Sequence, residues 1–161
     1  MAGKQTERVT LSPDEEYRLW TLISQVNDGM IRARDNELKH SGISTVQVAI
    51  LYAVKNVGGS PTPSAISHWV FRKPHTVSAA LDRMEKSGLV KLSRNTKGRR
   101  QVKVEMTAKG EEIYRIQHGR RRVIPAILGS LSPQERGQLR GLLDRLRQKT
   151  FEELGPKLSF P

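Results

Sequence analysis

Apolar side chains recur at helical spacing in the N-terminal part of the chain. They follow one another at intervals of three and four residues, which places them on one stripe of a helix. Ser12, Pro13 and Glu15 supply a start signal, and the helix is predicted to run to about residue 39. A helix of this length needs a packing partner along its stripe. The stripe consists of Leu19, Ile23, Val26 and Met30.

Three shorter helices are predicted in the middle of the chain. Ser44 caps the first, over residues 44–56, and Thr62 followed by Pro63 starts the second, which ends near residue 70. The third covers residues 74–87, and Gly88 is predicted to end it in the left-handed conformation. Its apolar face consists of Val77, Ala80, Leu81 and Met84.

Polar and apolar residues then alternate on both sides of a cationic turn, within residues 89–110. This pattern predicts a β-hairpin. The only acid in the stretch, Glu105, lies beyond the turn, so the cations cannot all find local partners and are predicted to bind an external polyanion. The cations of the turn are Arg94, Lys97, Arg99 and Arg100.

Two helices are predicted after the hairpin. Thr107 caps a fifth helix, which Pro125 should kink or split because proline lacks a backbone donor. Ser132 and Pro133 start a sixth helix, followed by a short tail that contains Leu154, Leu158 and Phe160.

The order of these elements predicts a mainly α (α+β) fold. Three short helices before a two-stranded hairpin match a winged helix-turn-helix DNA-binding domain, with the outer helices forming a helical dimerisation region. We expect an N-terminal helix of the dimerisation region over residues 1–39, the winged helix over 40–108, and C-terminal dimerisation helices with a tail over 109–161.

Charge strengthens the nucleic-acid interpretation. The chain has 161 residues and a formal net charge of +12. Residues 72–110 contain eleven Lys or Arg against three acids, so +8 of this charge falls in 39 residues. A concentrated basic patch creates a directional field for nucleic acid, and the hairpin lacks the bulky apolar face that membrane-surface binding requires. With no apolar spanning run or signal segment, we expect a cytoplasmic protein.

The apolar stripes of the outer helices are predicted to pair in a homodimer. Three helices from one chain would leave part of each stripe exposed, and twofold pairing is the commonest closed solution. The alternative is a small bundle within one chain. The predicted dimerisation residues are Leu19, Ile23, Ile127, Leu139, Leu142 and Leu146.

The middle of the chain resembles the MarR family of winged-helix transcriptional regulators. Residues 76–90 are similar to the family's recognition helix and its exit into the wing, and the run from Gly98 through Thr107 to Gly110 is similar to its wing tip, returning strand and next helix start. The family usually has an acid directly before the paired arginines, where this chain has Gly98. Either Asp82 orients Arg99 in its place, or the wing is more mobile and more basic.

Candidate DNA contacts lie on the predicted recognition helix and in the wing. A recognition helix contacts base edges and phosphates through its N-terminal face, although each of these side chains could be only a solvated capping group. Arg83 could reach a phosphate or pair with an acid. The resemblance implies that Arg99 enters the minor groove; Lys97 and Arg100 are expected to meet phosphates, and Arg94 to contact DNA or stay solvated. The helix candidates are Arg72, Lys73, His75, Thr76, Ser78 and Arg83.

The resemblance also implies a small aromatic or anionic effector, bound in a cleft between the winged helix and the dimer helices. Binding there would favour a spacing of the recognition helices that does not suit DNA. The candidate lining residues are Trp20, Met30, Arg34, His40 and Trp69.

We therefore predict a sequence-specific double-stranded DNA-binding regulator, a repressor that binds a palindromic operator as a homodimer. The alternative is an architectural protein that coats DNA without preferred sites, for which charge alone would suffice. The chain has no cysteine, and its four histidines show no metal-ligand spacing, so no metal, cofactor or catalysis is predicted. The basic run 120–122 is predicted to be a solvated helix face.

Overall fold

The computed structural model describes residues 12–94 and 102–155. Seven helices and two strands lie in these ranges. In chain order they are α1 (Pro13–Leu38), α2 (Thr45–Asn56), α3 (Pro63–Trp69), α4 (Pro74–Lys86), β1 (Val90–Arg94), β2 (Val102–Met106), α5 (Ala108–Gly119), α6 (Val123–Gly129) and α7 (Pro133–Leu154). The mainly helical fold with one small sheet confirms the predicted fold class.

Side-chain caps set most of the helix starts. Ser12, Ser44 and Ser132 each accept a hydrogen bond from the amide three residues later, and the Glu or Gln at that position accepts one in return from the cap amide. Thr62 and Thr107 cap α3 and α5 in the simpler one-way form. These bonds satisfy amides that have no acceptor inside the helix, so short polar sequences define the boundaries.

The core lies within the winged helix. Residues of α2, α3, α4 and the two strands bury their apolar side chains against one another, and Leu38 at the end of α1 joins them. The largest fully buried side chains are Ile50, Leu51, Ile66, Leu81, Met84, Val77, Val90 and Val104. The end of α1 is therefore part of the same packed unit as the recognition helix.

The wing is a two-stranded antiparallel sheet in which Val90 pairs with Met106 and Arg94 with Val102. Two contacts fix its base to the helices. The amide of Val104 donates to the carbonyl of Pro61 at 2.9 Å, and the amide of Leu92 donates to the Glu85 carboxylate at 2.9 Å. The direction of the hairpin is thus set by α4 and by the segment before α3.

A tight junction joins the wing to α5. The Thr107 hydroxyl donates to the carbonyl of Gly88 at 2.6 Å, and a Cβ placed on Gly110 would lie 2.1 Å from the carbonyl oxygen of Leu89. Only glycine permits this approach of α5 to the end of the recognition helix. Gly88 itself has φ +70°, as predicted for a left-handed helix end.

The predicted split of the fifth helix is observed. The helix ends at Gly119 and a new one, α6, begins at Val123, so the break precedes Pro125. Pro125 is the third residue of α6, where its missing amide would have no intrahelical acceptor anyway. A helix that continued through Pro125 would bring the proline ring against the carbonyl of Arg121, so a split just before Pro125 agrees with the prediction. Leu154, assigned to the tail, is instead the last residue of α7.

The outer helices carry much exposed apolar surface. On α1 this surface includes Leu19 and Ile23, and on α7 Leu142 and Leu146, each between about two-fifths and one-half exposed. A closed bundle within one chain does not cover them. At its C-terminal end, α7 approaches the winged helix, where the Phe151 ring meets the edge of Phe71 at a centroid distance of 5.6 Å.

Candidate nucleic-acid interface

Helix α4 buries one face and exposes the other. Val77, Ala80, Leu81 and Met84 are at most 1% exposed, which fixes the rotation of the helix in the core. The opposite face is therefore presented to solvent as a rigid surface. This surface contains His75, Ser78 and Arg83, while Thr76 is half-buried at its edge.

The cations of this surface are not neutralised locally. Within the described ranges, the side chains of Arg72, Lys73 and Arg83 have no hydrogen-bond or ion-pair partner. The same is true of His75 and Ser78. Of the two interpretations of Arg83, pairing with an acid thus finds no support, and its guanidinium remains available to an external anion.

The start of α4 differs from the capped helices. Lys73 occupies its N-cap position and supplies no side-chain acceptor, so the first-turn amides are not capped by a side chain. A helix N-terminus with cationic neighbours is a favourable place for a phosphate, because amides and the helix dipole both attract negative charge.

The wing extends the basic surface only in part within the described residues. The backbone of Arg94 lies in β1, while Lys97, Arg99 and Arg100 lie outside the described residues. Lys91 and Lys103, which were not among the predicted DNA contacts, are exposed on the outer face of the hairpin. Their alternation with the inward-facing Leu92 and Val104 was the signal that could have identified them.

The five predicted effector residues are not brought together. Trp20 is 67% exposed in the N-terminal half of α1, and His40 is exposed beyond its end. Arg34 is buried and already bonded, whereas Trp69 belongs to an aromatic cluster with Tyr52 at 5.2 Å between ring centroids.

A groove of about 690 Å³ lies instead between α2 and α5. The aromatic cluster continues to its wall, since the rings of Tyr52 and Tyr114 are 6.3 Å apart and those of Tyr114 and His118 are 5.5 Å apart. Lys55 bonds to both carboxylate oxygens of Glu111 at 2.9 Å across the groove. Its lining is Lys55, Ala108, Glu111, Glu112, Tyr114, Arg115, His118 and Gly119.

Arg34 forms part of a buried polar cluster where α1 meets the break between α5 and α6. Its guanidinium donates to the Glu37 carboxylate and, at 3.3 Å, to the carbonyl oxygen of Gln117. Glu37 accepts from the backbone amides of Arg122 at 2.7 Å and Val123 at 3.3 Å. Burial raises the pKa of Glu37, but these amides and the guanidinium outweigh it and hold the pKa below its ordinary value.

Two further features of the described residues bear on function. Across residues 12–94 and 102–155, no group of three or more His, Asp or Glu side chains is placed to hold a metal ion. No described helix is both long enough and apolar enough to cross a membrane.

Comparison with known proteins agrees with this geometry. The sequence model of the MarR family matches residues 41–101, which span α2 to the wing. The predicted resemblance to the MarR family is confirmed for these residues. The relatives that match the chain are transcriptional regulators, which agrees with the predicted DNA-binding regulatory role.

Individual MarR-family relatives cover nearly the whole chain. The HTH-type transcriptional repressor MdtR of Bacillus subtilis is 25% identical over 139 residues, 86% of each chain. The organohalide-sensing regulator RdhR, solved with 2,4-dichlorophenol bound, is 28% identical with a TM-score of 0.75, covering 91% of this chain and 89% of the other. BldR from Sulfolobus solfataricus is 27% identical with a TM-score of 0.73, covering 86% and 99%. These relatives are transcriptional regulators and not enzymes.

Proposed function

We propose that this protein is a homodimeric transcriptional repressor that binds a palindromic operator through α4 and the wing, and is released by a small aromatic effector. The observation that carries the proposal is the exposed face of α4, whose cations lack partners among the described residues. Recognition helices of this type enter the major groove with their N-terminal residues toward base edges.

Each candidate contact has a role in this arrangement. His75, Thr76 and Ser78 face base edges, while Arg72, Lys73 and Arg83 bind phosphates. Arg99 enters the flanking minor groove, and Lys97, Arg100 and Arg94 bind the backbone beside it. Repression follows because a protein bound across a promoter excludes the polymerase.

The homodimer follows from the exposed apolar surface of the outer helices. A second copy would cover the predicted dimerisation residues on α1 and α7 together with Ile127, which is 37% exposed. Twofold symmetry would set the two recognition helices roughly 34 to 36 Å apart, one turn of duplex, and it requires a palindromic site.

The groove between α2 and α5 is the proposed effector site. Its Tyr114 wall offers a ring for stacking, and RdhR shows that a related fold accepts a chlorinated phenol. The cations Lys55 and Arg115 are already paired with Glu111 and Glu112, so net charge in the groove is small. This balance favours an aromatic ring with a hydroxyl group over a strongly anionic ligand.

Selection of bound fragments from random duplex DNA tests the DNA-binding proposal, with unrelated duplex as competitor. A specific regulator yields a twofold-symmetric sequence and prefers it by about a thousandfold or more over other DNA. An architectural protein yields no enriched sequence and is competed away equally by any duplex.

Arg83→Ala tests the α4 surface directly. The variant should bind its operator more weakly and lower the logarithmic salt slope by about 0.9, one phosphate contact, and Arg99→Ala should do the same for the wing. Arg120→Ala, an equal change of charge at the end of α5, should leave both unchanged. Equal effects of Arg83→Ala and Arg120→Ala would mean that only total charge matters.

Calorimetric titration with 2,4-dichlorophenol tests the groove. Binding should be lost in Tyr114→Ala and retained in Trp20→Ala, which removes an aromatic ring outside the groove. If binding of 2,4-dichlorophenol is lost only in Trp20→Ala, the effector site lies at α1 and not in the groove.

A further inference from the structure

The break between α5 and α6 is the point where the chain leaves α5, which packs against α2 and β2, for the helices α6 and α7. At this point two helix ends face a common neighbour, α1, which packs against α6. The N-cap residue of α6, Arg122, gives no side-chain cap, and its backbone lies in the helical region. The start of α6 therefore depends on an acceptor from elsewhere.

One ion pair on α1 serves both helix ends. Arg34 donates to a carbonyl in the last turn of α5, and Glu37 accepts from the first two amides at the start of α6. The positive Arg34 thus lies at the C-terminus of α5 and the negative Glu37 at the N-terminus of α6. Each charge interacts favourably with the helix dipole at that end. The two residues are three positions apart on α1 and bond to each other.

The end of α1 that carries this ion pair is itself packed in the core. Leu38, next to Glu37, is 2% exposed within the winged-helix core. Arg34 is 6% exposed, and Glu37 keeps only 16% of its side chain accessible. The pair therefore connects the packed core directly to the first residues of α6.

We propose that Arg34 and Glu37 are positioning residues that lock the angle between the winged helix and helices α6 and α7. Because each half of the proposed dimer would join its partner through the outer helices, this angle sets the distance between the two recognition helices. The effect of this angle on DNA binding rests on the proposed function. The lock, which is the fixing of this angle by Arg34 and Glu37, involves only residues of one chain. Arg34 then acts on regulation through geometry and not as an effector contact.

Distance measurement between two spin labels tests the lock without DNA. The chain has no cysteine, so Lys86→Cys at the end of α4 and Gln134→Cys at the start of α7 give two defined sites, both exposed. Arg136 donates to the carbonyls of Leu128 and Leu131, which ties the start of α7 to α6. Dilution with unlabelled protein isolates distances within one chain.

The labelled chain should give a narrow distance distribution, and Glu37→Ala should broaden or shift it. Glu112→Ala is the matched control, since it also breaks a glutamate–arginine pair three residues apart, but within α5 alone. Should the alanine variant fail to fold, Glu37→Gln keeps an acceptor for the amides and loses the charge, and a smaller broadening is expected. A distribution unchanged in the folded Glu37 variants overturns the proposal.

Operator spacing gives the functional test. The measured quantity is the affinity for the native palindrome divided by the affinity for palindromes whose half-sites are moved apart or together by one base pair. Glu37→Ala should reduce this ratio about tenfold, a typical coupling between distant parts of a protein. A lower melting temperature with unchanged spacing preference would show a stabilising role only and overturn the link to DNA. If the unaltered protein binds no palindrome while the label distances still broaden, the proposed function fails and the lock stands.

Discussion

Replacing Glu37 by alanine should destabilise the protein strongly for a residue that touches neither DNA nor ligand. The substitution removes two backbone hydrogen bonds to a charged acceptor and leaves the Arg34 guanidinium with the Gln117 carbonyl as its remaining partner. Loss of one member of a buried pair costs about 3 to 5 kcal/mol. Glu37 is slightly accessible and Arg34 keeps one bond, so we expect the lower end, about 3 kcal/mol.

Equilibrium unfolding in urea, followed by far-ultraviolet circular dichroism, measures this change. About 3 kcal/mol corresponds to a lowering of the melting temperature by roughly 6 to 12 °C in a chain of this size. The double variant Arg34→Met with Glu37→Leu removes both charges and should recover much of the loss, because no unpaired charge remains buried. Glu112→Ala serves as the exposed control and should change stability by less than about 1 kcal/mol.

A difference of less than about 1 kcal/mol between Glu37→Ala and Glu112→Ala, the typical value of an exposed pair, would refute the stabilising role of the Arg34–Glu37 pair. A double variant no more stable than Glu37→Ala would refute it equally. Either result would mean that water, and not the burial of Arg34, compensates the missing carboxylate.

Three other outcomes are expected. Gly110→Ala should destabilise by about 2 to 3 kcal/mol in urea unfolding, because its Cβ would overlap the carbonyl of Leu89, and a loss below about 0.5 kcal/mol would show that α5 can move aside. Leu142→Glu should shift the sedimentation coefficient from dimer to monomer while circular dichroism stays unchanged; a persisting dimer would exclude this face from the interface. The free energy of unfolding of the wild type should exceed that of Glu37→Gln by its full amount above about pH 5, and this difference should shrink as the pH falls through the lowered pKa of Glu37. The reason is that the fold stabilises only the ionised form of this carboxyl group; a pH-independent difference would contradict this.

The sequence predicted the helix starts because their causes are local. Ser12, Ser44 and Ser132 lie three residues before the amide and side chain that complete each cap, so the pattern is complete within one turn. The hairpin of the wing was predicted for the same reason, since the alternation of polar and apolar residues around a cationic turn needs no information from distant residues.

The break after Gly119 could not be placed in this way. Gly119 and Pro125 both disfavour a continuous helix in this stretch, but only the structure shows that Glu37, 85 positions away, accepts from the amide of Arg122 at the start of α6. The five effector residues remain a prediction, although Arg34 has partners that the sequence does not reveal. Arg34 looked like an available cation on a helix, and only its distant partner Gln117 and the packing of α1 show that it is committed.

What the sequence by itself determined was the set of elements, the resemblance to the MarR family and the surface that carries the basic charge, because capping, periodicity and charge density are short-range properties of a chain. Only the tertiary structure decided which helix ends meet, where the groove between α2 and α5 lies, and which apolar residues stay exposed. Those outcomes depend on contacts between residues far apart in sequence, and such contacts form only when the whole core has packed.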